Sequence, residues 1–159
     1  MTKDAFFDFD GTIAAPRFNG GSGYVIGFNP PDWVGFCNER REHAYERAAI
    51  IWPSISFAEK LKARGVRIRI LTVTLSEGER IAKDTFLREH GLDRLFDEII
   101  FVGKDADKTP YILDYARANR LDPDECMLVE DNFNNCLEAH NAGISAVHLS
   151  NLVTDTVSR

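Results

Sequence analysis

The chain has little of several things, and each shortage excludes something. Only 3 of its 159 residues are cysteine, namely Cys37, Cys126 and Cys136. They are odd in number, far apart and form no Cys-x-x-Cys pair, so neither a disulfide framework nor a zinc site is indicated. They read as reduced, structural thiols. The four histidines, His43, His90, His140 and His148, show no metal-ligand spacing. Basic residues are fewer than acidic ones, 19 against 25, for a formal charge of −6. No excess of positive charge is available to attract nucleic acid or an anionic membrane, so neither is an expected partner. No apolar run approaches the roughly 20 residues of a membrane span, and the start Met1-Thr2-Lys3-Asp4 lacks the apolar core of a signal peptide. A soluble, cytoplasmic protein is therefore expected. With 44% apolar and 11% aromatic residues, a chain of this length can bury one sizeable core, and a single domain over residues 1–159 is expected.

From residue 54 onward, short apolar runs alternate with longer amphipathic segments. That alternation predicts beta-alpha-beta units in an α/β fold, a Rossmann-like three-layer sandwich with a central parallel sheet. Strands are expected at Asp4–Phe9, Val66–Leu71, Ile99–Val102, Met127–Val129 and Ile144–Leu149. Helices are expected around Phe57, Ala58 and Leu61 with Ser54 or Ser56 as start and Gly65 as stop; around Ile81, Thr85 and Leu87 before Gly91; from Thr109-Pro110 through Ala116; and from Leu137 to Ala142-Gly143. Residues 14–52 break the alternation with Asn19-Gly20-Gly21-Ser22-Gly23, then Asn29-Pro30-Pro31-Asp32, then a charged helical run over Asn38–Ile51. Fewer than forty residues are too few for an independent core, so this segment reads as an inserted flap or small cap.

Four elements carry chemistry. Asp8-Phe9-Asp10-Gly11-Thr12 ends the first strand and places two carboxylates at the carboxyl edge of a parallel sheet, where ligands of open α/β folds bind. Residues two apart in extended chain face one side, so the two charges repel unless a cation lies between them or they divide labour. Gly11 permits a sharp departure of the chain. Thr72 follows the second strand, where a hydroxyl can donate to a phosphate oxygen, with Thr74 and Ser76 as competitors. Lys108, in Asp107-Lys108-Thr109-Pro110, stands at a helix entry, where an ammonium and the positive helix end can both hold phosphate; Lys104 is the alternative. Glu130-Asp131 ends another apolar strand and offers the hard oxygen ligands that suit magnesium.

Together these elements resemble the haloacid dehalogenase superfamily across nearly the whole chain. Asp8-Phe9-Asp10-Gly11-Thr12 looks like its first motif, Thr72 its second, Lys108 its third and Glu130-Asp131 its fourth. The resemblance implies a phosphohydrolase in which Asp8 forms an aspartyl-phosphate and Asp10 serves as acid and then base. It also implies Mg2+ bound by Asp8, the backbone carbonyl of Asp10, and Asp131, with Glu130 in or near the shell. Thr72 and Lys108 would complete the phosphate clamp, with Gly11 and Thr12 at the substrate. Dehalogenating members lack the second aspartate, so Asp10 points to phosphate chemistry. The segment 14–52 reads as a small or atypical cap; Arg17, Trp33, Arg40 and Arg41 are its candidates for contacting the rest of a small phosphorylated substrate. A phosphomutase, a polynucleotide end phosphatase and a non-catalytic protein keeping the fold are the alternatives.

Overall fold

The computed structural model describes residues 1–15, 17–19, 24–26 and 32–154, with only the backbone for 17–19, 24–26 and 154. Its centre is a five-stranded sheet built from β1 (Asp4–Phe7), β6 (Arg67–Val73), β7 (Glu98–Val102), β8 (Cys126–Glu130) and β9 (Ser145–His148). The spatial order is β7-β6-β1-β8-β9, and every pairing is parallel. β1 is buried at all four residues because it lies in the middle of the sheet with a layer on each face, which explains its unbroken apolar run Ala5-Phe6-Phe7.

Alternate residues of the strands feed two separate cores. On one face Ala5, Phe7, Ile68 and Ile70 pack with Phe57 and Leu61 of α2 (Trp52–Ala63) and Phe86 of α3 (Glu77–Glu89). On the other, Phe6, Leu71 and Leu128 pack with Ile112 and Ala116 of α4 (Lys108–Ala118) and Ala139 of α5 (Phe133–Asn141). The expected three-layer α/β sandwich is present. Among the described residues no helix is long and apolar enough to cross a membrane.

The departures from expectation have local causes. β1 ends at Phe7 rather than Phe9 because the Phe9 carbonyl accepts bonds from the amides of Thr12, Ile13 and Ala14, which winds the chain into a tight turn immediately after the sheet edge. α2 begins at Trp52, with Pro53 in its first turn, before either serine. A final helix, α6 (Leu149–Thr154), takes over where β9 stops at His148.

The largest correction falls on the insert. Within 14–52, β2 (Ala14–Ala15) pairs antiparallel with β5 (Ala49–Ile50), and β3 (Arg17–Asn19) with β4 (Tyr24–Ile26). The helix expected over Asn38–Ile51 is instead α1 (Trp33–Arg40), capped by the Asp32 carboxylate, which accepts from the Gly35 amide. It stops at Arg41, whose φ of 48° lies in the left-handed region. Tertiary packing overrides the helical periodicity beyond that point. Tyr45 is buried edge-on against Phe9, Phe86 and Trp33 lie beside it, and the pull into this aromatic cluster breaks the helix. α1 also sits directly on the start of α3: the Gly78 amide donates to Asn38 Oδ1 at 3.1 Å, and a Cβ on Gly78 would lie 2.3 Å from the Cys37 carbonyl oxygen. The three cysteines are buried and unpaired.

Candidate active site

Asp8, Asp10, Thr72, Lys108, Glu130 and Asp131 converge on one cleft of about 230 Å3, which Val73, Asp105 and Asn132 also line. The convergence follows from topology. β1, β6 and β8 are adjacent and parallel, so the residues that leave their carboxyl ends meet above the same edge.

Asp8 lies at the floor, 7% exposed, with its amide bonded to the Val129 carbonyl at 2.9 Å. Lys108 Nζ donates to Asp8 Oδ1 at 2.9 Å and to Glu130 Oε2 at 2.7 Å, and lies 3.4 Å from Asp105 Oδ1. Carboxylates therefore outnumber the one ammonium in contact with them. Burial and the neighbouring Glu130 charge push Asp8 up to about 7, only partly opposed by Lys108. Burial alone would lower Lys108, but Asp8 and Glu130 outweigh it and hold the ammonium more firmly charged than usual.

The donor set fits a divalent cation. Asp8, Glu130 and Asp131 each offer an oxygen, and these atoms lie within 4.8 Å of one another. Glu130 is the most occupied of the three. Its Oε2 accepts from Lys108 and from Asn135 Nδ2 at 3.0 Å, and its Oε1 from the amides of Asp131 and Asn132 at 3.2 Å. Asp8 and Asp131 keep more lone pairs for an ion. Burial, with the Asp8 charge beside it, raises the Asp131 carboxyl above its ordinary range, against the opposing effect of Lys108. The carboxylate of Asp10 is outside this group: Tyr45 donates to its Oδ1, and Lys83 Nζ lies 3.1 Å from its Oδ2.

The other expected residues are placed as follows. Thr72 lines the cleft, its hydroxyl accepting from Lys83 at 2.9 Å. Thr12 is fully buried and its hydroxyl points to Asp131 Oδ1 at 3.5 Å. Gly11 has φ of 79°, and a Cβ there would lie 2.2 Å from Asp131 Oδ2. Ser76 caps α3 by accepting from the Glu79 amide. Arg40 and Arg41 do not line the cleft; the Arg40 guanidinium lies 5.0 Å over the Phe36 ring and 3.9 Å from Glu46. Trp33 stacks on Phe36 at 5.7 Å. Arg17 belongs to β3, and its side chain lies outside the described residues.

Gly11→Ala should strain the left-handed turn and displace Asp131, weakening the binding of a divalent cation by this acid cluster at least tenfold. Calorimetric titration of the protein with magnesium checks this; an unchanged affinity would show that the Gly11–Asp131 contact is irrelevant to cation binding.

Sequence reasoning missed five members of this neighbourhood, Tyr45 on Asp10 among them. Asp105 and Asn135 lie beside Lys108 and Glu130, with Asn135 Nδ2 also 3.1 Å from Asp105 Oδ1. His148, at the end of β9, holds the Asp131 carbonyl through Nε2 at 2.8 Å. Lys83 is fully buried, and its Glu79 partner four residues earlier has the spacing of an ordinary solvated helix pair. Nothing in the linear pattern separates it from such a pair.

A parallel sheet covered by helices on both faces, with a carboxylate-lined cleft at its carboxyl edge, makes this a three-layer α/β protein whose polar site lies where open α/β folds bind ligands. The haloacid dehalogenase-like hydrolase family model matches residues 28–143. The chain belongs to the haloacid dehalogenase-like hydrolase family. The matched span contains Thr72, Lys108 and Glu130-Asp131 and starts after Asp8–Thr12, which the fold brings to the same cleft. No curated protein sequence matches the chain. Among solved structures, it resembles a haloacid dehalogenase superfamily hydrolase, subfamily IA, from Geobacter sulfurreducens, with a TM-score of 0.62, 16% identity, and coverage of 93% of this chain and 89% of the other. It also resembles a haloacid dehalogenase-like family hydrolase from Streptococcus pneumoniae (TM-score 0.59, 16% identity, coverage 95% and 90%). A third is a predicted phosphoglycolate phosphatase from Haemophilus somnus (TM-score 0.57, 19% identity, coverage 92% and 84%). These likenesses concern the fold.

Proposed function

We propose that this hydrolase is a magnesium-dependent phosphatase that cleaves a small phosphate monoester through an aspartyl-phosphate on Asp8. The observation that carries this reading is the meeting, in one cleft, of a buried carboxylate at a sheet edge with a buried ammonium and further acids. A predicted phosphatase among the similar folds fits it.

In this reading an Asp8 oxygen forms a bond to phosphorus as the bond from phosphorus to the ester oxygen breaks. Asp10 gives its proton to the departing oxygen, then takes one from the water that opens the acyl phosphate. Lys108 and the Thr72 hydroxyl hold the transferring oxygens. A magnesium ion on Asp8, Asp131 and the Asp10 backbone carbonyl would supply the positive charge that the crowded acids and the phosphoryl group need. Thr12 and His148 keep Asp131 in place.

Phosphate release should be measured over a panel of sugar phosphates, nucleotides, aryl phosphates and phosphorylated polynucleotide ends, with magnesium and with chelator. Release that requires magnesium is expected. A wild-type protein inert towards the whole panel would overturn the proposal, and phosphate transfer without release would make it a mutase.

A further inference from the structure

We infer that Lys83 and Tyr45 are positioning residues for Asp10, a buried clamp through which the insert and α3 set the direction of that carboxylate in the cleft. The inference rests on the phosphatase reading, since it assigns how the acid/base group of that reaction is aimed.

Both oxygens of Asp10 are gripped. The Tyr45 hydroxyl, carried by the insert, donates to Oδ1, while the Lys83 ammonium lies 3.1 Å from Oδ2. Each oxygen retains a lone pair, and Asp10 is still partly exposed, at 27%, where it borders the cleft. Neither holder is free to wander. Lys83 is fully buried and donates to Thr72 Oγ1 at 2.9 Å and to the Val73 carbonyl at 2.7 Å, with Glu79 Oε1 at 2.9 Å. Glu79 is itself tied by its other oxygen to the Leu75 amide. The ring of Tyr45 is fixed edge-on against Phe9, and the helix before it is seated on α3 through Gly78.

A purely structural reading explains this poorly. Burying an ammonium against two carboxylates is often no more stabilising than apolar packing of the same volume. Here the cluster joins two cleft residues, Asp10 and Thr72, so one ammonium fixes both side chains. A carboxylate misaimed by an ångström costs far more in rate than in stability. No proton passes through the clamp; it only holds Asp10.

The test compares kcat/KM for phenyl phosphate with that for p-nitrophenyl phosphate, whose leaving group departs with little need of a proton. Tyr45→Phe keeps the ring and its packing, so it tests the hydroxyl alone. Its loss should be at least tenfold larger on phenyl phosphate, and Lys83→Met should behave likewise if its thermal melt shows it folded. In an Asp10→Asn background, Tyr45→Phe should have no leaving-group effect. Equal losses on both substrates, or a full effect of Tyr45→Phe without the Asp10 carboxylate, would overturn the clamp alone. A wild-type protein that releases no phosphate from either would instead overturn the phosphatase reading.

Discussion

Asp8→Asn should lower turnover by roughly ten-thousand-fold or more, the scale of nucleophile removal in other covalent hydrolases, and should at the same time make the metal-free protein more stable at pH 8. The second effect follows from the burial of Asp8 beside Glu130. Its carboxyl is raised from an ordinary 3.8 to about 7, so the fold favours the protonated form. Protonated Asp8 contributes its full stability below the unfolded value near 3.8, and that contribution is lost as pH rises through about 7. At pH 8 the ionised group costs on the order of 4 kcal/mol, which an asparagine avoids. Metal-free Asp8→Asn should therefore melt about 8–15 °C above the wild type at pH 8. The gap should close as pH falls towards 4, and magnesium should shrink it by stabilising the wild type. Calorimetry at three pH values with and without magnesium reads all of this. Retained turnover would remove Asp8 from the chemistry, and a variant less stable than wild type at pH 8 would show that Asp8 is not strained by its neighbours.

Lys108→Met should do the opposite to stability while also abolishing activity. The ammonium is 3% exposed and lies between Asp8 and Glu130 at 2.9 and 2.7 Å. Removing it leaves the buried Asp8 and Glu130 with no cation, so the pair must take up a proton or bear unpaired charge, a change that typically costs about 3–5 kcal/mol, or roughly 8–15 °C in a domain of this size. The shape of methionine fills the stem's volume, so the loss reports charge rather than a cavity. Magnesium should return part of the lost stability, because a divalent ion can replace the missing positive charge, but not the activity, since the phosphate clamp is broken. Thermal melts at pH 7 in chelator and in millimolar magnesium check this. A melting point within 2 °C of the wild type would mean that Glu130 and Asp8 find other partners.

The two variants differ in sign because the site holds more acid than it can neutralise by itself. Asp8→Asn removes one of the excess charges, whereas Lys108→Met removes a compensation. That imbalance is also the physical argument for a bound cation, and it is a property of the fold: Asp8, Lys108 and Glu130 are separated by 100 and 22 residues along the chain.

Much of this was legible in the linear chain. The apolar runs that become β1, β6, β7, β8 and β9 predicted a parallel sheet, because strands buried on both faces lose their polar alternation. The residues that end β1, β6 and β8 were readable as candidates because parallel strands put their carboxyl ends on one edge whatever the details of packing. What was local in sequence, such as the Asp32 and Ser76 caps or the turn after Asp10, needs only a few neighbours to form. Only the tertiary structure decided the rest. Arg40 and Arg41 had the right chemistry for an anion yet stand away from the cleft, because α1 ends where Tyr45 is drawn under α3. Thr12 turns from the cleft to Asp131. Lys83 and Tyr45 carry no sequence signal, since a lysine four residues after a glutamate and a tyrosine in a charged run are ordinary until burial strips away water and leaves Asp10 as their partner. Alternation and strand ends are set by the nearest few residues and survive compression into one dimension; burial and charge partnership depend on which distant segments meet, and they do not.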